Sequence, residues 1–116
     1  MHKLLLLVGA ACFAALANAP LLVRAADLTP SNLLANTRSY DGQPVSVQGT
    51  VKNFSTHKTL RGTISTFQVC DQQCVSVVDE TGGAETNSAD VTVSGSFHTT
   101  LQARRQTYTN VIVIQQ

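Results

Sequence analysis

The sequence lacks tryptophan and has few aromatic or charged residues. Of its 116 residues, 5% are aromatic and 13% are charged. So low a charged fraction, with a mean hydropathy of +0.07, excludes an intrinsically disordered chain. The near balance of eight basic and seven acidic residues excludes a polybasic, histone-like protein. The length excludes a two-domain enzyme with its own cofactor-binding fold, and it predicts one small domain.

The N-terminal segment predicts a cleaved signal peptide, residues 1–25. A short basic start is followed by the uncharged apolar run of residues 4–16. Pro20 disfavours an earlier cleavage site, whereas Val23 and Ala25 provide the small residues that signal peptidase requires. We therefore expect an exported protein, periplasmic or secreted.

The same segment has an alternative interpretation as a transmembrane anchor, because residues 4–23 approach the length that spans a bilayer. The proline and the cleavage pattern favour the signal peptide, so we expect no membrane anchor after cleavage. The folded domain is then residues 26–116, which contain six basic and seven acidic residues and have a net charge of −1.

Two cysteines remain in this domain, Cys70 and Cys74. In an oxidising compartment an even pair predicts a disulfide. The Cα atoms of opposite residues on two antiparallel strands lie about 4.5–5.5 Å apart, within the range that a disulfide needs. The alternatives are a copper or zinc ligand pair and a redox dithiol, but the pair supplies only two of the four ligands of a structural metal site. We expect a disulfide, and neither a metal nor a cofactor.

Residues 27–39 predict a short helix, with Thr29 as N-cap and Pro30 in the first position. Beyond Pro44, apolar residues recur with a period of two and predict four strands, and the apolar run of residues 111–114 predicts a fifth that is buried on both faces. The predicted strands are 45–51, 63–70, 75–79, 91–97 and 108–114. Three polar loops are predicted between them, at 54–62, 80–89 and 98–106.

Five strands in so short a chain suit a small closed barrel, since closure removes exposed sheet edges. Gly49 and Gly95 mark bends in the first and fourth strands. The stretch from Leu33 to Val51, with its YDGQPVSVQGTV segment, and the VTVSGSF segment of residues 91–97 resemble exported bacterial OB-fold proteins, members of a nucleic-acid-binding-like superfamily. The resemblance implies an all-β, five-stranded OB-type barrel after a short N-terminal helix, although the predicted loop at 80–89 replaces the usual helix. A β-sandwich fragment and an SH3-like barrel are the alternative folds.

Positive charges cluster on two predicted loops. Lys52, Lys58 and Arg61 lie on or beside the loop between the first two strands, and Arg104 and Arg105 lie between the last two. In an OB fold these loops border one ligand-binding face. The resemblance thus implies a groove that attracts a polyanion such as single-stranded nucleic acid.

Aromatic side chains that could stack on bases are few. Phe54 and Tyr108 flank the two basic loops, whereas Phe67 and Phe97 alternate with polar residues and predict core positions. The groove itself would expose three uncharged side chains, Thr66, Gln68 and Ser76. These would suit a sugar or a peptide equally well.

Catalysis has little support. No Gly-x-Ser-x-Gly elbow is present, and the adjacent Asp79 and Glu80 point to opposite sides of a strand. We expect a non-enzymatic binding protein, and our first hypothesis is an oligonucleotide or other polyanion as ligand. The second is an envelope stress or interaction module that binds a protein or glycan. The third is a metal-handling protein that uses Cys70 and Cys74.

Overall fold

The computed structural model describes residues 26–103 and 105–115. The predicted signal peptide, residues 1–25, lies outside these ranges, as does Arg104. Among the described residues no helix combines the length and apolar character needed to cross a bilayer.

The described chain is mainly β, as predicted, with two short helices near its start. It contains six strands, one more than expected. In chain order the elements are β1 (Ala26–Leu28), α1 (Pro30–Ala35), α2 (Thr37–Tyr40), β2 (Pro44–Thr59), β3 (Gly62–Cys70), β4 (Cys74–Asp79), β5 (Asp90–Ala103) and β6 (Gln106–Ile114). Residues 80–89 contain neither helix nor strand, as predicted.

The N-terminal helix is shorter than predicted. Its expected beginning belongs to β1, which pairs in parallel with β2, and Asn36 separates α1 from α2. The predicted cap is confirmed, since the hydroxyl of Thr29 accepts a hydrogen bond from the backbone N of Asn32 at 3.2 Å, with Pro30 in the first turn. Three residues are too few to show a period of two, so β1 has no recognisable pattern in the sequence.

The two predicted basic loops are instead strands. β2 continues to Thr59, and only Leu60 and Arg61 separate it from β3. β5 likewise continues to Ala103, and two residues lie between it and the first residue of β6, Gln106. The distal parts of both hairpins carry polar side chains on both faces, so they lack the apolar alternation that predicts strands. We call residues 54–65 the β2–β3 arm, and residues 99–103 with 105–110 the β5–β6 arm.

The strand pairings form a closed ring. β2 pairs with β3, β3 with β4, β4 with β6, β6 with β5, and β5 again with β2. The β4–β6 pairing is parallel, and the other four are antiparallel. β2 changes partner from β5 to β3 at Thr50, and β5 changes from β2 to β6 at Ser96.

Gly49 and Gly95 lie beside these two changes of partner, where the sequence predicted bends. A Cβ on Gly49 would lie 2.7 Å from the backbone oxygen of Cys70, and a Cβ on Gly95 would collide with the backbone oxygen of Val113. Any side chain at either position would therefore push two strands apart.

The core is built from side chains that point into the ring. Phe67 and Phe97 are buried there, as predicted. The run of Val111, Ile112 and Val113 is buried at three successive positions, which confirms the predicted burial of both faces of β6. The main cluster comprises Leu33, Val45, Val47, Val51, Phe67, Val69, Val75, Val77, Val93, Phe97 and Ile112.

The predicted disulfide joins Cys70 and Cys74. These residues are opposite each other on β3 and β4, with a Cα–Cα distance of 4.1 Å. The turn between them carries Asp71, whose carboxylate accepts hydrogen bonds from the hydroxyl and the backbone N of Ser31 on α1 at 2.7 and 3.3 Å. The turn is thereby attached to the helix that places Leu33 in the core.

Candidate ligand-binding groove

A groove of about 550 Å³ lies on the outer face of β3 and β4, between the two arms. Its lining comes from four strands. The lining residues are Asn53, His57, Ile64, Thr66, Phe67, Gln68, Ser76, Val77, Val78, Gln106 and Tyr108.

The alternation of side chains along β3 and β4 produces this face. Phe67 points into the core, so its neighbours Thr66 and Gln68 point outward. The strand register places Gln68 opposite Ser76 and Thr66 opposite Val78. The structure therefore places all three side chains predicted for the groove, Thr66, Gln68 and Ser76, in its lining.

Hydrogen bonds fix several of the polar side chains. The amide of Asn53 donates to Oε1 of Gln68 at 2.7 Å, and Nε2 of His57 lies 3.2 Å from the hydroxyl of Thr66. On the opposite side of the groove, the hydroxyl of Tyr108 donates to Oε1 of Gln106 at 2.8 Å. Asn53 uses its amide NH2 group in these bonds, and Gln68 and Gln106 use their amide oxygens. The other polar group of each side-chain amide can bind a ligand.

The predicted basic residues that the structure describes are not in the groove lining. Lys52 is exposed and pairs with Gln68, so it lies at the rim of the groove face. Lys58 and Arg61 line a separate cavity of about 1080 Å³ at the turn of the β2–β3 arm, together with Leu60, Ile64, Glu80 and other residues. Arg105 is exposed at the turn of the β5–β6 arm, and Arg104 lies outside the described residues. Strand alternation directs Lys58 to the face opposite its neighbour His57.

The two predicted aromatic residues have different environments. Tyr108 lines the groove and is half-buried. Phe54 packs against the core, with its ring centroid 6.2 Å from that of Phe67. Its backbone N also donates to the side chain of Asn87 at 3.0 Å. Phe54 thus contributes to packing rather than to the groove lining.

The sequence interpretation missed Asn53, Ile64, Val78 and Gln106. Ile64 and Val78 share the period-two alternation of the predicted groove residues, and that signal could have identified them. Asn53 lies at an irregularity in the β2–β3 register with φ of 55°. Asparagine tolerates this left-handed conformation, but the sequence alone does not indicate that a strand bulges there.

The lining within the described residues contains no aspartate, glutamate, lysine or arginine, and His57 is its one basic side chain. Hydroxyl and amide groups provide hydrogen bonds, and Ile64, Val78 and Tyr108 provide apolar surface. Among the described residues no group of three potential metal ligands is close enough to hold an ion, and the sulfur atoms of Cys70 and Cys74 are bonded to each other. The arrangement suits non-covalent binding of an uncharged polar ligand.

Comparison of the chain with protein-family models, with curated proteins and with solved structures finds no match.

Proposed function

We propose that the protein is an exported, non-enzymatic binding module with an OB-type barrel, and that its groove binds an extended, uncharged polar segment of a protein or glycan. The observation that carries this proposal is the groove lining, which combines fixed amide and hydroxyl groups with apolar surface and contains no carboxylate, lysine or arginine among the described residues.

The ring of pairings supports the barrel. The strands β2 to β6 are arranged in the ring order β2–β3–β4–β6–β5 and have one parallel pair. An OB fold is a five-stranded Greek-key barrel that binds its ligands on the face of its second and third strands, between two loops. In this chain β3 and β4 correspond to that face, and the two arms correspond to the loops. α1, from the N-terminal side, contributes Leu33 to the core.

Export is supported by the basic and apolar pattern of residues 1–25 and by the disulfide. Disulfides persist in oxidising compartments such as the periplasm and are rare in the cytosol. A periplasmic or secreted binding module is consistent with both features.

The ligand class follows from electrostatics. A charged group held in the groove would lose its hydration without gaining an opposite charge from the lining, and this is unfavourable. Uncharged hydroxyl and amide groups would instead exchange water for Asn53, Gln68 and Ser76 at little cost.

A polyanion is the second candidate, favoured by the exposed cations outside the groove. Lys52, Lys58, Arg61 and Arg105 are all exposed along the rim and the arms. An oligonucleotide bound by these side chains would follow the arms, and its affinity would fall steeply with salt.

Nuclear magnetic resonance titration of the protein beginning at Ala26 tests the proposal. The probes are a set of neutral oligosaccharides, a set of unstructured peptides and an oligothymidylate. We expect a peptide or an oligosaccharide to shift the amides of Thr66, Gln68 and Ser76, and Gln68→Ala to weaken that binding about fivefold or more. Ser94→Ala, on an exposed part of β5, is the matched control. Shifts confined to the arms with the oligothymidylate alone would overturn the proposal in favour of the polyanion.

A further inference from the structure

We propose that the groove binds an extended peptide as an added β-strand, which pairs with the unpaired edge of β6 along residues 106–110. This inference rests on the proposed function, because it names the partner and the binding mode of the same groove.

The strand register defines the unpaired edge. On one side, β6 pairs with β5 from Gln106 to Thr109 and again from Val111 to Val113. On its other side, β6 pairs with β4 only from Val111 to Ile114. Within the described residues, 106–110 therefore have a strand on one edge alone. Because β6 lies between β5 and β4 in the ring, the unpaired edge is the one on the β4 side, and Gln106 and Tyr108 line the groove there.

Asn110 marks the point where β6 separates from β4. Its φ of 53° is a left-handed conformation that turns the chain. The parallel pairing with β4 begins at the next residue, Val111. At the base of the β5–β6 arm, the backbone N of Thr99 donates to the carboxylate of Asp41 at 2.8 Å. β6 is paired with β4 only from Val111 onward, and Gln106 and Tyr108, which precede this point, line the groove together with Ser76 and Val78 of β4.

The composition of this edge favours pairing with another strand. Proteins protect exposed strand edges with lysine, proline or a covering loop. Residues 106–110 contain no charge and no proline, and Thr107, Tyr108 and Thr109 are residue types enriched in strands.

The outer edge of the β2–β3 arm is protected in two of these ways. At its base, the segment 87–89 covers the edge of β2. The backbone N of Ser88 donates to the backbone oxygen of Val51 at 2.8 Å, and the side-chain oxygen of Asn87 accepts from the backbone N of Phe54 at 3.0 Å. Further out, the arm carries Lys58. Residues 100–103 of β5 also have a strand on one edge alone, but none of them lines the groove, whereas Gln106 and Tyr108 of β6 do. Among the described residues β6 therefore provides the open edge that faces the groove.

A peptide fits this edge better than a glycan does. An antiparallel edge repeats its donors and acceptors every two residues, about 6.8 Å, and only another polypeptide shares that repeat. Every second side chain of the added strand would face the groove, where Ile64, Val78 and Tyr108 offer apolar contact. The uncharged lining favours a peptide that is neutral inside the groove and has alternating apolar residues, and Lys52 at the rim favours an acidic side chain only outside the groove.

Selection from a displayed library of random linear peptides against the protein beginning at Ala26 tests this inference. We expect enrichment of sequences with alternating apolar residues. A selected peptide is then synthesised in two N-methylated forms, each blocking the amides along one edge of the extended chain. Methylation along the edge that pairs with β6 should lower the affinity at least tenfold. Methylation along the other edge should leave the affinity within about twofold of that of the unmodified peptide, because that edge makes no pairing with β6.

Protein variants provide the second readout. Tyr108→Ala should lower the affinity for the unmodified peptide severalfold, whereas Tyr108→Phe should retain most of it. Ser94→Ala should leave the affinity unchanged. Circular dichroism checks that each variant is folded.

Three results would overturn the inference. They are the absence of any enriched peptide, equal tolerance of both methylated forms, and pairing of β6 with a second copy of the chain detected by sedimentation. If no peptide is enriched but a neutral oligosaccharide shifts the amides of Thr66 and Gln68, the proposed function survives and the strand-addition mode fails. If neither probe binds, both fail.

Discussion

Ser31 and Asp71 are separated by 40 residues in the sequence, yet the carboxylate of Asp71 accepts hydrogen bonds from both the hydroxyl and the backbone N of Ser31. The contact joins the turn closed by Cys70 and Cys74 to the first turn of α1. The disulfide, the turn and the helix therefore form one connected unit at one end of the strand ring.

Reduction of the disulfide should loosen this unit. The closed loop spans five residues from Cys70 to Cys74, so the loss of the cross-link should lower the free energy of unfolding by about 2 kcal/mol. Amide hydrogen exchange should accelerate in α1 more than in β6, because Asp71 loses its fixed position beside Ser31. Chemical denaturation and exchange with and without a dithiol reductant measure both effects. The variant with both cysteines replaced by alanine is the control, since its stability should not respond to the reductant.

Asp71 should make stability depend on pH in the acidic range. Partial desolvation raises the pKa of this carboxyl, but the hydrogen bonds from Gln73 and Ser31 together outweigh it and hold the pKa below its ordinary value. The ionised form is therefore favoured in the folded state. Its contribution is fully present above the unfolded-state pKa and is lost as the pH falls through the lower folded-state pKa. Urea unfolding from about pH 2 to 7 should show Asp71→Asn losing less stability on acidification than the wild type. Parallel pH profiles for the two proteins would contradict this assignment.

Gly95 should not tolerate even alanine. An added Cβ would collide with the backbone of β6 where β5 changes partner, and backbone cannot move aside as a flexible side chain can. We expect Gly95→Ala to lower the free energy of unfolding by about 1–3 kcal/mol, measured by thermal and chemical denaturation. Ser94→Ala, one residue earlier and exposed, should change it by less than about 0.5 kcal/mol. Equal stability of the two variants would show that the strands can separate at this point.

The alternation of apolar residues predicted the inner part of the fold well. The cores of β2 to β5 and the outward positions Thr66, Gln68 and Ser76 follow from a period of two, because those strands have one face in the core. The core of β6 follows instead from its continuous apolar run, which is buried on both faces. The arms could not be predicted in this way, since strands that are polar on both faces have the composition of loops. Treating the arms as loops also placed five of the six basic residues of the domain near one groove. In a strand, the alternation of side chains sends Lys58 and His57 to opposite faces.

The contributions of the basic side chains and of the groove to ligand binding should be separable by mutation and by salt concentration. Lys58 and Arg61 line a different cavity from Gln68, so Lys58→Ala/Arg61→Ala should leave the affinity for a groove ligand within about twofold. Gln68→Ala should lower that affinity about fivefold or more, because it removes a hydrogen-bonding partner from the groove lining. Fluorescence anisotropy between about 50 and 200 mM salt should show little change for an uncharged ligand, whereas a polyanion with several phosphate contacts would lose orders of magnitude in affinity. A steep salt dependence that the Lys58 and Arg61 substitutions flatten, with no effect of Gln68→Ala, would assign binding to the arms and a polyanion instead of the groove.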